Sequence, residues 1–292
     1  MADALYSAIP TFKSTPTDDV IGQFTLQLVT ERDDIVHTMG TAVWIGPSLA
    51  ITAAHIMDAC KQAYGLKDDG AADFLMHAIQ YGPSAPVNFS VQKIFRSNLT
   101  DIALLHLRAD AESIPELYPR ISLIPPKKGE RIVAFGYPAK LECTALEVVV
   151  TPNGSTSVGV VREVYMARRD LVMAPFSCFE TNQRFDDSMS GGPVFNNVGE
   201  LCGLICSTFE PSSSEEAYVS YCTLLWPLVD LEIDVQFADQ PELGASYKFI
   251  EFLKFRGDGV VGLDRIQFAK GQIIYCSPPI DYSWRWGRKG ST

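Results

Sequence analysis

The stretch Gly40-Thr-Ala-Val-Trp-Ile-Gly46 and the following Leu49-Ala-Ile-Thr-Ala53 are apolar segments joined by a Gly-Pro-Ser turn. Apolar and β-branched segments bounded by turn residues are typical of neighbouring antiparallel strands. Upstream, Phe24–Thr30 alternates apolar and polar residues, and a charged turn separates it from a strand predicted over Ile35–Ile45. We therefore predict a β meander, followed by a short helix over Ile56–Ala63.

The same pattern of short apolar segments and turn residues continues through both halves of the chain. Further strands are predicted over Val87–Phe95, Ile102–Leu107, Arg131–Phe135, Ala145–Val150, Ser157–Val164, Leu171–Phe179, Pro193–Phe195, Leu201–Ser207 and Ala217–Leu225. Four prolines between residues 115 and 126 indicate a linker near residues 110–128. Many short strands on both sides of one linker predict an all-β protein with two barrels, over residues 20–125 and 126–235.

The two ends of the chain differ from this pattern. Residues 1–19 form an N-terminal segment, and residues 236–292 form a C-terminal extension. In the extension, Tyr247–Phe255 predicts a short helix and Ile266–Cys276 a hairpin. The last residues, Ser283-Trp-Arg-Trp-Gly-Arg-Lys-Gly290, are basic and aromatic. A solvated tail, or one whose tryptophans pack on the body, explains them better than a nucleic-acid patch.

Composition limits the classes of function. The chain has 292 residues, a net charge of −11, 47% hydrophobic residues and 20% charged residues. These are ordinary globular values, so wholesale disorder and fibrous repeats are excluded. A general binder of nucleic acid or of an anionic membrane needs a basic face, which the acidic balance opposes. No apolar run reaches the roughly 18 residues of a membrane span, so neither partner is predicted.

Cysteine usage predicts reduced thiols. The count of seven is odd, and the first residues lack the basic and apolar regions of a secretory signal. We therefore predict a cytoplasmic protein. Cys202 and Cys206 admit a metal interpretation, but no second Cys or His pair completes a zinc set. On one strand they share a face, so buried small residues are the preferred interpretation, and neither a metal nor a cofactor is predicted.

Three segments contain the residues of a possible catalytic site. A predicted strand ends at His55, Asp101 opens an apolar strand, and Ser190 lies in the turn Asp186-Asp-Ser-Met-Ser-Gly-Gly-Pro-Val194. Taken singly, they can be a core histidine, a turn aspartate and ordinary turn chemistry. Together, in the order His, Asp, Ser, they supply a base, a residue that orients it, and a nucleophile. Acyl transfer needs this set, because a serine hydroxyl is a poor nucleophile until a base removes its proton.

These segments resemble the trypsin-like, chymotrypsin-fold serine proteases, and most closely the bacterial HtrA/Deg-type branch without a PDZ domain. The stretch from Gly40 to His55, the stretch Gly129-Glu-Arg-Ile-Val-Ala-Phe-Gly-Tyr-Pro138, and the stretch from Phe179 to Gly203 carry the resemblance. It covers roughly residues 20–232. The resemblance implies two six-stranded antiparallel β-barrels and an endopeptidase that acts on proteins or peptides.

The resemblance also implies roles for individual residues. Ser190 is the nucleophile, His55 the general base and then acid, and Asp101 the buried, ionised residue that orients His55. The backbone N–H groups of Ser188 and Ser190 form the oxyanion hole. The primary specificity pocket is lined by Arg184, Ser207, Thr208, Ala217 and Val219. An inward-pointing Arg184 would favour acidic substrates, whereas Asp186 and Asp187 could neutralise it or attract a basic side chain.

Three residues depart from the family pattern. Ser188 replaces a glycine, and a side chain makes the backbone angles of a formed oxyanion hole costly. Met189 replaces the aspartate that in zymogen-type relatives pairs with a newly cut N-terminus, so activation by that route is not expected. Cys206 replaces a serine that hydrogen-bonds the catalytic aspartate, and a thiol is a weak donor, so Asp101 is expected to depend on backbone donors.

The sequence therefore predicts an intracellular serine endopeptidase. The alternative is a catalytically silent or conditionally activated trypsin-like fold that acts as a protein-binding module. A regulatory protein partner is expected in addition to the substrate. Ser188 and Met189 favour the alternative because they change the residues that shape the oxyanion hole. The intact His-Asp-Ser set favours the enzyme, since a binding module has no need of it.

Overall fold

The computed structural model describes residues 21–32, 35–64, 76–81, 86–109, 117–138, 142–144, 147–149, 154–209, 218–236 and 246–277. The predicted N-terminal segment, the basic aromatic tail and Ala217 lie outside these residues. No helix in the described ranges has both the length and the hydrophobicity of a membrane span.

Six antiparallel strands of the first half close into a barrel. They are β1 (Thr25–Arg32), β2 (Ile35–Gly46), β3 (Leu49–Ala53), β4 (Met76–Tyr81), β5 (Pro86–Arg96) and β6 (Ile102–Ala109). Their order around the barrel is β1-β2-β3-β6-β5-β4. The predicted meander is confirmed, and so is the helix, α1 (His55–Tyr64). The sequence did not predict β4, because its buried residues Met76, Ala78 and Tyr81 break the alternation of period two.

The second half of the chain forms the other barrel. Its strands are β7 (Ile121–Ser122), β8 (Arg131–Gly136), β9 (Glu142–Thr144), β10 (Glu147–Val149), β11 (Ser155–Tyr165), β12 (Cys178–Thr181), β13 (Pro193–Phe195), β14 (Leu201–Phe209) and β15 (Val219–Leu224). Six of them run in the order β13-β8-β11-β12-β15-β14, and the ring closes because β13 also pairs with β14. The predicted fold of two six-stranded antiparallel barrels is confirmed.

The predicted strand Leu171–Phe179 is wrong over most of its length, since only its last two residues belong to β12. The Asp170 carboxylate explains the difference. Its Oδ1 accepts the backbone N–H groups of Val172 (2.7 Å), Met173 (2.6 Å) and Ala174 (3.3 Å), which folds the chain into a compact turn. An aspartate that bonds the backbone just ahead of it competes with strand pairing. The apolar side chains of residues 171–173 are consequently exposed.

The C-terminal extension is folded and joins both barrels. It contains β17 (Tyr247–Lys248), α2 (Phe249–Phe255), β18 (Val260–Val261), β19 (Ile266–Ala269) and β20 (Gln272–Tyr275). Strand β17 pairs with β16 (Glu232–Ile233), which lies just before the extension. The predicted helix is confirmed in α2, and the predicted hairpin in β19 and β20. Strand β18 pairs in parallel with β7, which in turn pairs in parallel with β14 of the second barrel.

The helix α2 packs against the first barrel. Phe252 is fully buried, and a Cβ atom at Gly46 would lie 2.4 Å from its ring. Glycine is therefore needed there to let the ring approach the strand. The Arg256 guanidinium donates to the carbonyls of Ile45 and Pro119. These contacts merge the extension and the first barrel into one hydrophobic core.

Candidate active site

His55 lies where β3 ends and α1 begins. Every residue of β3 is buried, so the strand carries the chain through the barrel wall to its edge. The N–H of Ala54 donates to the carbonyl of Asp101 (3.2 Å), which keeps the ends of β3 and β6 together. The His55 side chain is 42% exposed. One side of the ring is therefore open to solvent while the other faces β6.

Asp101 makes two hydrogen bonds to His55. One carboxylate oxygen, Oδ1, accepts the His55 backbone N–H (2.9 Å), and the other, Oδ2, lies 2.7 Å from the ring Nδ1. The aspartate side chain is only 10% exposed. A carboxylate at Nδ1 favours the tautomer with the proton on that nitrogen. The Nε2 lone pair is then left to act as a base.

The surroundings of His55 raise its pKa above the ordinary 6.5. Burial alone would lower the pKa, since it disfavours the charged imidazolium. The hydrogen bond to Asp101 and its negative charge act in the opposite direction, with a smaller contribution from Asp58, and together they outweigh burial. The ring is therefore adapted to carry a positive charge beside Asp101.

Cys206 reaches Asp101 because of a β-bulge. The pairing of β14 with β15 shifts register between Ile205 and Ser207, so Cys206 is the extra residue. Bulges of this kind redirect a side chain. Its Sγ donates to Asp101 Oδ2 at 3.0 Å. Burial, and then the nearby Asp101 charge, raise the pKa of the Cys206 thiol well above its usual range, so the thiol keeps its proton. Asp101 thus has the thiol as a donor in addition to the His55 backbone N–H.

His55, Asp101 and Cys206 form the one group of three possible metal ligands among the described residues, with ligand atoms within 4.8 Å of each other. Asp101 Oδ2 lies 2.7 Å from Nδ1 and 3.0 Å from Sγ. Two ligands of a tetrahedral zinc ion would be about 3.3–3.8 Å apart, given bonds of about 2.0–2.3 Å. A zinc ion would also need Cys206 as a thiolate, whereas the Cys206 thiol keeps its proton. The spacing fits hydrogen bonds better than zinc ligation.

Ser190 lies in a turn that touches both barrels. Its carbonyl accepts the N–H of Thr41 from β2 (2.8 Å). Its hydroxyl donates to the carbonyl of Cys206 (3.3 Å). Within the described residues, no hydrogen bond joins this hydroxyl to the His55 ring. Cys206 therefore contacts both Asp101 and Ser190, which brings the histidine–aspartate pair and the serine turn together.

The two glycines after Ser190 permit close backbone approaches, Gly191 to the first barrel and Gly192 to β8 of the second barrel. Gly191 has a φ of +79°, and a Cβ atom there would lie 2.1 Å from Thr52 Oγ1. A Cβ atom on Gly192 would lie 2.0 Å from the carbonyl oxygen of Phe135. Both distances are shorter than any real contact, so neither position accepts a side chain without moving backbone.

The N–H groups from Ser188 to Gly192 fall into two sets. Three donate to backbone carbonyls at 2.8–3.2 Å, namely Met189 to Asp186, Gly191 to Ile205 and Gly192 to Met189. The N–H groups of Ser188 and Ser190 have no acceptor among the described residues. These are the two groups that sequence analysis predicts for the oxyanion hole. Buried or half-buried N–H groups normally have acceptors, so this pair is available for a ligand.

Ser188 adopts the left-handed backbone conformation that its glycine counterpart would adopt freely. Its φ is +66°. A serine pays a conformational cost in this region, and contacts to β2 oppose that cost. The Ser188 hydroxyl donates to the carbonyl of Thr38 (3.4 Å), and its own carbonyl accepts the Thr41 hydroxyl (3.3 Å).

Met189 is anchored in the core of the second barrel. Its side chain is buried, and the Sδ atom accepts the N–H of Asp186 (3.3 Å). A Cβ atom at Gly136 would lie 2.8 Å from the Met189 Cα, so the two backbones are close. Apolar packing holds this position, and the side chain has no charge that an N-terminal ammonium could pair with.

Arg184 lies at the surface. Its Nε is 3.1 Å from Asp186 Oδ1, and its side chain is 52% exposed. The guanidinium also lies over the Tyr218 ring, 5.4 Å from its centre. The positive charge is therefore paired with Asp186, one of the two acidic neighbours noted in the sequence.

The remaining pocket candidates lie near the ends of β14 and β15. Thr208 Oγ1 accepts the Phe185 N–H (3.2 Å) and bonds with Ser220 Oγ (2.9 Å). Ser207 and Val219 are partly buried on the same two strands. These contacts fix the segment that leads from Phe185 to the serine turn.

Thr41 and Thr38 are site residues that the sequence did not single out. Threonine is common in strands, so neither residue stands out in β2. The only signal is that Thr41 follows Gly40 in one of the stretches that resemble proteases. Their contacts join residues about 150 positions apart, which no local pattern reveals.

Three comparisons relate this chain to known proteins. A family model described as a trypsin-like peptidase domain matches residues 40–204. The chain is similar to the active form of Rv3671c protease from M. tuberculosis, with 17% identity over 75% of this chain and 83% of that one and a TM-score of 0.48. It is also similar to the apo MamO protease domain from Magnetospirillum magneticum, with 11% identity over 70% and 94% and a TM-score of 0.49. A search among curated proteins finds no match.

Proposed function

The chain belongs to the trypsin-like peptidase family, and we propose that it is a serine endopeptidase that cuts proteins or peptides through an acyl-enzyme. One observation supports this most strongly. The bonded pair of His55 and Asp101 adjoins, through Cys206, a turn in which the Ser188 and Ser190 N–H groups lack an acceptor among the described residues.

The proposed reaction begins with proton transfer. His55 Nε2 takes the proton of the Ser190 hydroxyl as the oxygen attacks the carbonyl carbon of the scissile bond. The carbonyl oxygen becomes negative and accepts the N–H groups of Ser188 and Ser190. The protonated His55 then gives its proton to the leaving amine, and the C–N bond breaks. Water, deprotonated by His55, hydrolyses the acyl-enzyme and releases Ser190.

Asp101 orients the base in this scheme. Its Oδ2 holds the proton on Nδ1, and its charge stabilises the imidazolium that forms during each proton transfer. The raised pKa of His55 agrees with that role, because burial is outweighed by the hydrogen bond and charge of Asp101. The Cys206 thiol donates to the same oxygen and limits its rotation.

The reaction requires one rearrangement. The Ser190 hydroxyl has to exchange the Cys206 carbonyl for the His55 ring, and we expect a change of the side-chain rotamer to bring this about. Catalytic hydrogen bonds are often loose in ligand-free proteins and tighten with substrate. A substrate carbonyl on the Ser188 and Ser190 N–H groups would bring its carbon next to Ser190 Oγ.

The pocket supports a preference for small or apolar side chains. Arg184 is paired with Asp186 at the surface, so a fixed positive charge is not free to attract acidic substrates. The polar groups of Thr208 are already bonded to Phe185 and Ser220. Cleavage of a peptide library measures this preference. A regulatory partner and a cytoplasmic location also stay predictions.

A fluorophosphonate probe tests the proposed function directly. It phosphonylates a serine only when a base activates the hydroxyl and an oxyanion hole is present. We expect stoichiometric labelling at Ser190, identified by mass spectrometry, and no labelling of Ser190→Ala. The matched control is Ser246→Ala, which removes an exposed serine of the C-terminal extension and should label like the wild type.

A silent binding module is the second candidate. The observation that favours it is the Ser190 hydroxyl bonded to the Cys206 carbonyl (3.3 Å) in place of the His55 ring. A folded wild-type protein that takes up no probe and cuts no peptide would support this candidate and overturn the protease. Labelling that persists in Ser190→Ala would place the nucleophile elsewhere.

A further inference from the structure

Thr41 is fully buried in β2 and uses each of its polar groups in a hydrogen bond. Its N–H donates to the carbonyl of Ser190 (2.8 Å), and its carbonyl accepts the Thr52 hydroxyl (2.6 Å). Its own hydroxyl lies 2.9 Å from the Tyr137 nitrogen and 3.3 Å from the Ser188 carbonyl oxygen. Thr41 therefore joins the first barrel to two separate segments of the second.

The chemistry of the partners fixes the direction of both hydroxyl bonds. A backbone N–H can only donate, so the Thr41 oxygen accepts from Tyr137. A hydroxyl has a single hydrogen, and a carbonyl can only accept. The Thr41 hydrogen is therefore committed to Ser188, and the side chain has one rotamer that satisfies both partners.

Ser188 is held at a second point on the same strand. Its hydroxyl donates to the Thr38 carbonyl (3.4 Å), and the Thr38 hydroxyl accepts the side-chain amide of Gln27 (3.0 Å). The carbonyl and the side chain of Ser188 are thus both attached to the first barrel. Two attachments on one residue fix the directions of its Cα substituents, including the bond to the nitrogen.

This attachment matters because of where the Ser188 backbone lies. A φ of +66° is uncommon for a residue with a Cβ atom. Without external contacts, rotation of the adjoining peptides would return Ser188 to a common region and turn its N–H away. The N–H of Ser188 lacks an acceptor among the described residues, so no bond of its own keeps it in place.

We infer that Thr41 is a positioning residue for the oxyanion hole, acting through its hydroxyl on Ser188 and through its N–H on Ser190. The inference rests on the proposed protease function. It extends that function by making the hole a joint product of the two barrels. The Ser188 side chain, which departs from the family pattern, adds to the same attachment through its bond to Thr38.

The test compares Thr41→Val with Thr41→Ser. Valine keeps the shape but removes the hydroxyl, whereas serine keeps the hydroxyl. In Thr41→Val we expect kcat on a reporter peptide to fall about 10–100-fold, short of the 10²–10³-fold that loss of a whole oxyanion donor costs. KM should stay within about threefold, because the hole acts on the transition state. Thr41→Ser should retain activity within about threefold of the wild type.

Two further measurements separate positioning from general damage. A peptide boronate, which forms a tetrahedral adduct with Ser190, should lose affinity in Thr41→Val by the same factor as kcat/KM. The apparent pKa of His55 in the pH dependence of kcat/KM should stay the same in Thr41→Val as in the wild type. The matched control is Thr25→Val, which removes another fully buried threonine hydroxyl of the first barrel, bonded to Tyr137 Oη at 3.2 Å, and should leave kcat unchanged.

Amide resonances of Ser188 and Ser190 provide a readout that needs no catalysis. They should shift in Thr41→Val and not in Thr25→Val. If Thr41→Val folds poorly, Ser188→Ala removes the bond to Thr38 and should lower kcat several-fold. A labelled wild type with a fully active Thr41→Val overturns the inference and leaves the protease standing. An unlabelled wild type overturns the protease, and unshifted amides in Thr41→Val then overturn the inference independently.

Discussion

The two halves of the candidate site are held in different ways. His55 and Asp101 are joined inside the first barrel, by the backbone N–H to Oδ1 (2.9 Å) and by Nδ1 to Oδ2 (2.7 Å). Ser190 is held from both barrels, since its carbonyl accepts the N–H of Thr41 (2.8 Å) and its hydroxyl donates to Cys206 (3.3 Å). The two bonds within the base come from the first barrel, to which Cys206 of the second barrel adds one donor, whereas the nucleophile turn depends on the contact between the two barrels.

The difference predicts which substitutions should disturb the His55–Asp101 pair and which should disturb the serine turn. The His55–Asp101 pair depends on the pairing of β3 with β6, which folding of the first barrel provides. The serine turn depends on Gly191, where Thr41, Thr52 and Ala53 of the first barrel approach so closely that a side chain has no room. A change at the barrel contact should therefore affect Ser190 while the base keeps its ionisation.

The largest expected effect comes from breaking the half that lies within the first barrel. Asp101→Asn replaces an oxygen at Nδ1 by a group that can donate, so His55 is held in the wrong tautomer. We expect kcat to fall about 10⁴-fold, as in the trypsin-type variant of the same kind, with KM nearly unchanged. Peptide hydrolysis measures kcat, and thermal unfolding checks the fold. A loss below tenfold would remove Asp101 from the mechanism.

The next effect concerns the stability of the first barrel, which depends on packing of the C-terminal extension. Phe252→Ala empties a fully buried position where α2 packs on Gly46, and should lower the free energy of unfolding by about 3–5 kcal/mol. Phe255→Ala, on the same helix but 46% exposed, should change it by less than about 0.5 kcal/mol. Denaturant titration measures both. Equal effects of the two variants would contradict the packing of the extension on this barrel.

A smaller effect sharpens the comparison at Cys206, the residue that contacts both halves. Cys206→Ala removes the thiol donor to Asp101 Oδ2 and should lower kcat about threefold to tenfold, because a thiol is a weak donor even to a carboxylate. Cys206→Ser supplies a stronger donor and should match or exceed the wild type. The ratio of the two kcat values is the measurement, and a Cys206→Ala variant as active as Cys206→Ser would show that this bond is dispensable.

The smallest effect concerns the ionisation of the base. Because the pKa of His55 is raised above 6.5, kcat/KM should rise with pH through an apparent pKa above that value, as His55 loses its proton. Asp58→Asn removes one of the charges that raise the pKa, so the limb should move to lower pH. The shift is small, since Asp58 is exposed and paired with Arg96. Asp264→Asn, which is not among the groups acting on His55, should leave the limb in place.

The same pKa gives a dependence of stability on pH. A group whose folded pKa is raised stabilises the folded protein fully below its unfolded pKa, near 6.5 for His55. That stabilisation is lost as the pH rises through the folded pKa. Denaturant titrations below and above this range measure it, and Asp101→Asn should reduce the difference.

Most of the fold could be predicted from the sequence. Strand alternation, turn residues and the proline-rich linker predict two β-barrels, and the structure confirms them. Residues 171–177 were predicted as strand, because their apolar character resembles that of a buried strand. The Asp170 carboxylate overrides it by bonding three backbone N–H groups, and residue type alone does not show which side-chain bond will form.

The sequence by itself determined which residues could carry the chemistry. The candidate residues can be read directly from local residue types, namely the order of His55, Asp101 and Ser190 and the small residues around the serine. Only the tertiary structure decided how they are held. The bulge that aims Cys206 at Asp101 arises from the pairing of β14 with β15. The hydrogen bond from the Thr41 hydroxyl to the Ser188 carbonyl joins residues 147 positions apart. Such bonds exist only after the barrels have folded and docked, because a single hydroxyl specifies its partner through distance and angle and carries no pattern along the chain.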